Sequence, residues 1–148
     1  KENVHFLKTD PKARYQGYTF YFREGFCWNN VLNPEARLLK VKIKQKSVND
    51  VGSMALTSNL PTLPSVYFVG LLNSNILFDY YREFVNCSVN IQINDIRQMP
   101  IVIPSDNELD ALLLLINDAI ELKTQNQDDL VLKIEERIDA AVRKLYRI

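Results

Sequence analysis

Four lysines occupy every second position of one short stretch of this chain: Lys40, Lys42, Lys44 and Lys46. Side chains at positions i and i+2 of a β-strand lie on one face, roughly 6.6 Å apart. Phosphates two steps apart along a DNA strand advance roughly 6.8 Å along the axis, so a lysine-faced strand could follow a phosphate backbone. The alternative is a solvated face that protects an edge strand from aggregation. Both interpretations predict a strand over 39–46, with Leu39, Val41 and Ile43 on its other face.

Amide, guanidinium and hydroxyl groups elsewhere in the chain could contact bases and phosphates. An Asn or Gln amide matches N6 and N7 of adenine, an Arg guanidinium matches O6 and N7 of guanine, and a hydroxyl can donate to a phosphate. Each candidate also has a structural alternative, in a turn, on a solvated strand face or, for Trp28, in the core. The candidate DNA-binding residues are Arg14, Arg23, Trp28, Asn29, Asn30, Arg37, Lys40, Lys42, Lys44, Ser53, Ser58, Asn90, Gln92 and Asn94.

The motifs of common catalytic and metal sites are missing from the sequence. The four glycines are isolated, so they form no phosphate-binding loop, and neither a GxSxG nor an HExxH motif occurs. The single histidine, His5, and two cysteines without CxxC spacing, Cys27 and Cys87, disfavour a zinc site and predict reduced thiols. We expect this chain to be no enzyme by itself and to hold no cofactor and no metal.

Composition and charge point to one globular domain with a possible anionic partner on one side only. The chain has 148 residues, 47% of them hydrophobic, and no formal net charge. Residues 1–104 contain twelve Lys and Arg against eight Asp and Glu, whereas residues 105–148 contain six against ten. This asymmetry favours a polyanion at the first part of the chain.

Location is predicted from what the sequence lacks. Its apolar stretches are too short to span a membrane, and it begins with a polar segment rather than a signal peptide. We therefore expect a cytoplasmic protein with no membrane partner. Because the chain begins with Lys1 and not with methionine, we also expect a fragment of a longer protein.

Hydrophobic periodicity predicts strands and helices in alternation over the first 104 residues. Strands are expected at 18–22, 39–46, 54–57, 89–93 and 100–104, with the amides of Asn90, Gln92 and Asn94 on one side of the fourth. A helix is expected from Ser65 to about residue 84. Gly70 inside it costs roughly 1 kcal/mol relative to alanine, so we expect another element to approach closely there.

Residues 105–148 predict two antiparallel helices. Ser105 and Glu108 have the spacing of a capping box, and a polar break at 124–127 separates two apolar stripes. The predicted fold class is α/β (α+β): a mixed β-sheet domain over 1–104 and a C-terminal helical hairpin over 105–148 packed on it.

Several segments resemble a known family. GLLNSNILFDYY (70–81) and VNIQINDIRQMPIVIPS (89–105) are the most specific, and GFCWNN (25–30), Arg37 with 50–53, and IDAAVRKLYRI (138–148) follow in the matching order. They resemble the TaqI-like target recognition (specificity) domains of type IIG restriction-modification enzymes and N6-adenine DNA methyltransferases. Arg143 and Arg147 depart from the usual Tyr and Gly of the last segment.

The resemblance implies a module that reads DNA sequence for a parent enzyme. The parent would methylate adenine at N6 with S-adenosylmethionine, with or without a fused nuclease, through an upstream methyltransferase domain of the same chain. The Asn-Pro-Pro-aromatic tetrad that holds the flipped adenine is absent here. The partner is then double-stranded DNA. The alternative is a protein-interaction or spacer module of a restriction-modification specificity subunit, with the acidic helical hairpin as its working part.

Overall fold

A small antiparallel sheet forms the first part of the fold. A computed structural model describes residues 5, 8–11, 18–50 and 52–148, so Arg14 lies outside the described residues. The strands are β1 (Gly25–Asn29), β2 (Lys42–Lys44) and β3 (Ser53–Leu56), in the order β2-β1-β3. Both pairings to β1 are antiparallel.

Five helices follow the sheet, and with it they confirm the predicted mixed α+β class. They are α1 (Ser65–Leu72), α2 (Asn75–Tyr80), which continues into a π-helical turn (Tyr81–Val85), α3 (Ile93–Ile96), α4 (Asp106–Thr124) and α5 (Asp128–Tyr146). The C-terminal pair was predicted correctly. Its first helix begins with the expected cap, because the Ser105 N–H donates to Glu108 Oε2 at 2.9 Å. In the described part of the chain, no helix has both the length and the apolar character needed to cross a membrane.

The inner face of the sheet packs on α1. Phe26 and Trp28 alternate with Cys27 and Asn29 along β1, so they share one face. The Phe26 ring stacks on Phe68 of α1 at a centroid distance of 5.1 Å. This face belongs to one continuous apolar core that also includes Ile116 of α4 and Val142 of α5. The core thus includes residues on both sides of position 104. The division of the chain into two domains at that position stays a prediction.

α4 packs closely on α1 at Gly70, as expected. A Cβ atom built on Gly70 would lie 2.2 Å from Cδ1 of Ile116, whose side chain is buried. The missing side chain therefore lets the two helices approach closely.

The prediction of a single helix over 65–84 is wrong, because the helix is interrupted at residues 73–75. The Asn73 amide binds the backbone of Val41, and Ser74 Oγ donates to the carbonyl of Leu71 at 2.7 Å. The Asn75 N–H donates to Asp139 Oδ1 of α5 at 2.8 Å. These hydrogen bonds accompany the turn between the two helices, and α2 packs against α5.

Three predicted strands are also wrong. The aromatic run begins with a 3-10 turn, Tyr18–Phe20, and 89–93 contributes only the isolated bridge between Val31 and Asn90. Residues 100–104 stay extended without a strand partner. Instead, the Tyr67 hydroxyl donates to the Val102 carbonyl at 2.6 Å, and the Tyr146 hydroxyl donates to the Pro100 carbonyl.

Candidate nucleic-acid interface

Three candidate side chains lie at the same end of the sheet. Asn29 is the last residue of β1 and pairs with Ser53, the first residue of β3. Lys42, the first residue of β2, pairs with Cys27, two positions before Asn29. Because these neighbours occupy one face, Lys42 and Asn29 are diagonal partners, whose Cα atoms lie roughly 7–8 Å apart.

Backbone hydrogen bonds bring two further candidates to this end. The Asn30 N–H donates to the Gly52 carbonyl at 3.0 Å, and the Asn30 carbonyl accepts from the N–H of Ile91 at 2.9 Å. The same pairing places Asn90 opposite Val31. We call the set Asn29, Asn30, Lys42, Ser53 and Asn90 the polar end of the sheet.

The polar end has hydrogen-bonding capacity that the fold does not use. Asn29 and Asn90 are exposed and Asn30 is half-buried. Within the residues that the structure describes, none of these three carboxamide groups has a hydrogen-bond partner. Each therefore keeps an acceptor oxygen and two donor hydrogens, the set that can bind an adenine edge bidentately.

Exposed cationic groups lie on β2 and in the connection that leads to it. Lys42 is exposed, and so is Lys40, which adopts a left-handed backbone conformation with φ 55°. Arg37 is exposed in the connection from β1 to β2. Burial raises the pKa of the Cys27 thiol, and the charges of Lys42 and then Lys44 oppose that rise, as expected for ammonium groups on the same face as Cys27.

The expectation that Lys44 belongs to a solvated lysine face is wrong. Lys44 is only 6% exposed. Its ammonium donates to the carbonyls of Arg23 and Ser47, both at 2.7 Å, and to that of Gln45 at 3.3 Å. Within the lysine stretch, only Lys42–Lys44 forms a strand. Lys44, the last residue of that strand, bonds to Arg23 before β1 and to Ser47 after β2. Lys44 thus supports the fold where a phosphate contact was expected.

Two other candidates lie at the opposite end of the sheet. Arg23 precedes β1, and its guanidinium lies 5.2 Å from the centre of the Phe20 ring. Ser58 follows β3, and its hydroxyl donates to the Leu60 carbonyl at 3.2 Å. The structure does not bring either of them to the polar end.

The structure gives Trp28, Gln92 and Asn94 structural positions. Trp28 is 1% exposed and its Nε1 donates to the Ile91 carbonyl at 3.3 Å, so the interpretation of this ring as a DNA contact is wrong. Gln92 is the N-cap of α3 and Asn94 lies within that helix. The predicted alternating row of amides therefore does not form, although α3 packs beside β3 and keeps Gln92 near the polar end.

Sequence reasoning missed the grouping at one sheet end and the exposure of two rings. Asn29, Asn30 and Ser53 were named separately, because their proximity depends on the register of β1 with β3. Phe20 and Phe22 were assigned to a strand, yet they are 59% and 64% exposed. The signal that could have found them is Arg23, an exposed cation directly after the aromatic run.

Comparison with known proteins found neither a family model nor a curated protein that matches this chain. The resemblance to target recognition domains therefore stays a prediction. Among the described residues, no group of three His, Cys, Asp or Glu side chains could hold a metal ion.

Proposed function

We propose that the polar end of the sheet recognises the base sequence of double-stranded DNA. The observation that carries this proposal is that backbone pairing brings three residues with unpartnered carboxamides, Asn29, Asn30 and Asn90, to the same end of the sheet as the exposed Lys42. The paired backbone segments fix the positions from which these amides project, and each amide can offer the donor and acceptor that an adenine edge requires. Exposed lysines next to them fix the register on the phosphates.

The lysines and the asparagines have separate tasks in this proposal. Lys40 and Lys42 neutralise phosphates and supply sequence-independent affinity. Asn29, Asn30 and Asn90 present paired donors and acceptors to the major groove, where adenine offers N7 as acceptor and N6 as donor. Lys44 holds the far end of β2 in place through its three carbonyl partners.

The resemblance in GLLNSNILFDYY and VNIQINDIRQMPIVIPS supports a wider proposal about the parent protein. This chain is then the target recognition domain of a cytoplasmic restriction-modification enzyme, and an upstream domain of the same polypeptide methylates adenine at N6 with S-adenosylmethionine. The chain itself positions DNA and performs no chemistry.

The test of phosphate contact is the salt dependence of DNA binding. The chain is titrated with a fluorescent random-sequence duplex at several salt concentrations, as wild type and as the double variant Lys40→Met/Lys42→Met. Each lost phosphate contact reduces the salt slope by about 0.9, so the double variant loses about 1.8. Lys133→Met is the matched control, because Lys133 is exposed on α5, outside the sheet. An unchanged slope in the double variant, or an equal loss in the control, contradicts the proposal.

Base readout is tested by selecting preferred sequences from a randomised duplex pool. Asn29→Ala is expected to relax the preference at one base pair and to leave the salt slope unchanged, since a bidentate contact discriminates by about 1–3 kcal/mol. If Asn29→Ala, Asn30→Ala and Asn90→Ala all select the same base sequence as the wild type, these amides do not read bases.

Exposed leucines on the C-terminal pair favour a second candidate, an assembly surface or spacer. Leu114 of α4 is 67% exposed and Leu132 of α5 is 60% exposed. Sedimentation velocity over a range of concentrations tests this function: self-association that Leu114→Ala/Leu132→Ala abolishes supports it, and a strictly monomeric chain argues against it.

A further inference from the structure

The segment before β1 exposes two aromatic rings within three residues. Phe20 and Phe22 are 59% and 64% exposed, and they belong to the end of the sheet opposite the polar end. Exposed rings contribute little to folding, and neighbouring exposed apolar groups commonly mark an interaction site. We call Phe20, Phe22 and Arg23 the aromatic patch.

The backbone of the patch is strained and yet firmly held. Phe22 has φ 58°, in the left-handed region that a bulky side chain rarely adopts. Its N–H donates to the Ser47 carbonyl at 3.2 Å. The buried Lys44 ammonium binds that same carbonyl and the carbonyl of Arg23. Such strain persists where surrounding contacts fix it, and it clusters at functional positions.

Cationic groups accompany the exposed rings. The Arg23 guanidinium lies 5.2 Å from the centre of the Phe20 ring, a cation–π distance. Lys46, 74% exposed, lies near Glu24 at 4.0 Å on the same side of the sheet. A partner that fits must offer flat apolar surfaces and negative charge at short spacing. Nucleotides with unpaired bases do so, because each carries a π-face and a phosphate.

We propose that the aromatic patch binds single-stranded DNA by stacking unpaired bases on Phe20 and Phe22, with Arg23 and Lys46 contacting the flanking phosphates. This site differs from the polar end in place and in ligand. The polar end uses amides on paired backbone segments to read a duplex, whereas the patch uses ring faces that accept any base. The two surfaces lie at opposite ends of β1.

The test uses the 148-residue chain and a labelled oligothymidylate of about 15 nucleotides, a length in the range of known single-strand sites. Fluorescence anisotropy at low salt gives the affinity of the wild type and of Phe20→Ala/Phe22→Ala. The double variant is expected to bind at least about fivefold more weakly, which corresponds to the loss of one weakly stacked base.

Phe84→Ala is the matched control, because Phe84 is 71% exposed and packs on Tyr80 away from the patch. Phe22→Asn is a second variant that removes one ring while tolerating the left-handed backbone, so a folding defect in the double variant cannot decide the outcome. The proposal is overturned if the wild type shows no saturable binding of the oligonucleotide, or if both patch variants bind it unchanged. It is also overturned if the patch variants lose affinity only for anionic lipid vesicles.

Discussion

The side chain of Asn73 binds both backbone groups of Val41. Its Oδ1 accepts from the Val41 N–H at 2.8 Å, and its Nδ2 donates to the Val41 carbonyl at 2.7 Å. The amide thereby acts as a short strand partner for the residue that precedes β2. One side chain at the end of α1 thus fixes the position from which Lys40 and Lys42 project.

Asn73→Ala is expected to destabilise the fold by about 2–4 kcal/mol, because two hydrogen bonds are lost and the Val41 backbone groups are left unpaired where little water reaches. Val41 itself is 4% exposed. Urea unfolding followed by circular dichroism measures the change. Asn59→Ala, at an exposed position, is the control and is expected to shift the free energy of unfolding by less than about 0.5 kcal/mol. Equal effects of the two substitutions contradict the role assigned to Asn73.

Gly70→Ala tests the close approach of α1 and α4. The new methyl group would overlap the Ile116 side chain, with 2.2 Å to Cδ1 and 2.4 Å to Cγ1. Overpacking lowers the free energy of unfolding by about 1–3 kcal/mol, and the better helix propensity of alanine offsets up to about 1 kcal/mol of that loss. We expect net destabilisation that is smaller in an Ile116→Ala background, since the two positions are in contact. Additive free-energy changes in this double-mutant cycle would show that the helices are further apart.

Lys44→Met distinguishes a structural lysine from a solvated one. Removing the ammonium leaves the carbonyls of Arg23 and Ser47 without their charged donor, and we expect a loss of about 2 kcal/mol in unfolding free energy. Lys42→Met, at an exposed position on the same strand, is expected to change stability by less than about 0.5 kcal/mol. If both variants unfold at the same urea concentration, Lys44 is not a structural residue.

Buried phenols predict a loss of stability in alkaline solution. Burial raises the pKa of Tyr81 and of Tyr146 to about 12, from an ordinary value of 10.0, and it raises the pKa of Tyr67 as well. Because the folded-state pKa values are the higher ones, the stability linked to the neutral phenols is complete below pH 10.0 and is lost as the pH rises toward 12.

Two measurements check this pH dependence. Phenolate absorbance is expected to show that Tyr67, Tyr81 and Tyr146 ionise late, together with unfolding. Tyr146→Phe is expected to lose less stability over the same pH interval than the wild type. Ionisation of these three phenols near their ordinary pKa of 10.0 in a folded chain would refute the prediction.

Local signals predicted the elements that depend on nearby residues. The cap formed by Ser105 and Glu108 and the apolar stripes after it were sufficient to predict α4 and α5, since both signals act within a few turns. Gly70 indicated a close helix contact for a similar reason: a glycine inside an apolar helix has few other uses.

The helix break at 73–75 and the burial of Lys44 were not predicted, because both depend on hydrogen bonds between residues far apart in the sequence. The apolar pattern continues through 73–75, so only the bonds of Asn73 to Val41 and of Asn75 to Asp139 reveal the helix break. Lys44 alternates like its neighbours, and its burial depends on carbonyls that a linear pattern does not bring near it. The same limit applied to the polar end, whose members meet through strand register rather than through spacing.

The most direct test of the central claim is amide NMR of the isotopically labelled chain during titration with a duplex that carries the selected sequence. We predict that the largest shift changes occur at Asn29, Asn30, Lys42, Ser53 and Asn90, including the side-chain amides of the three asparagines, while α4 and α5 stay unchanged. Changes concentrated on α4 and α5, or no change at saturating duplex, would contradict the assignment of DNA recognition to the polar end.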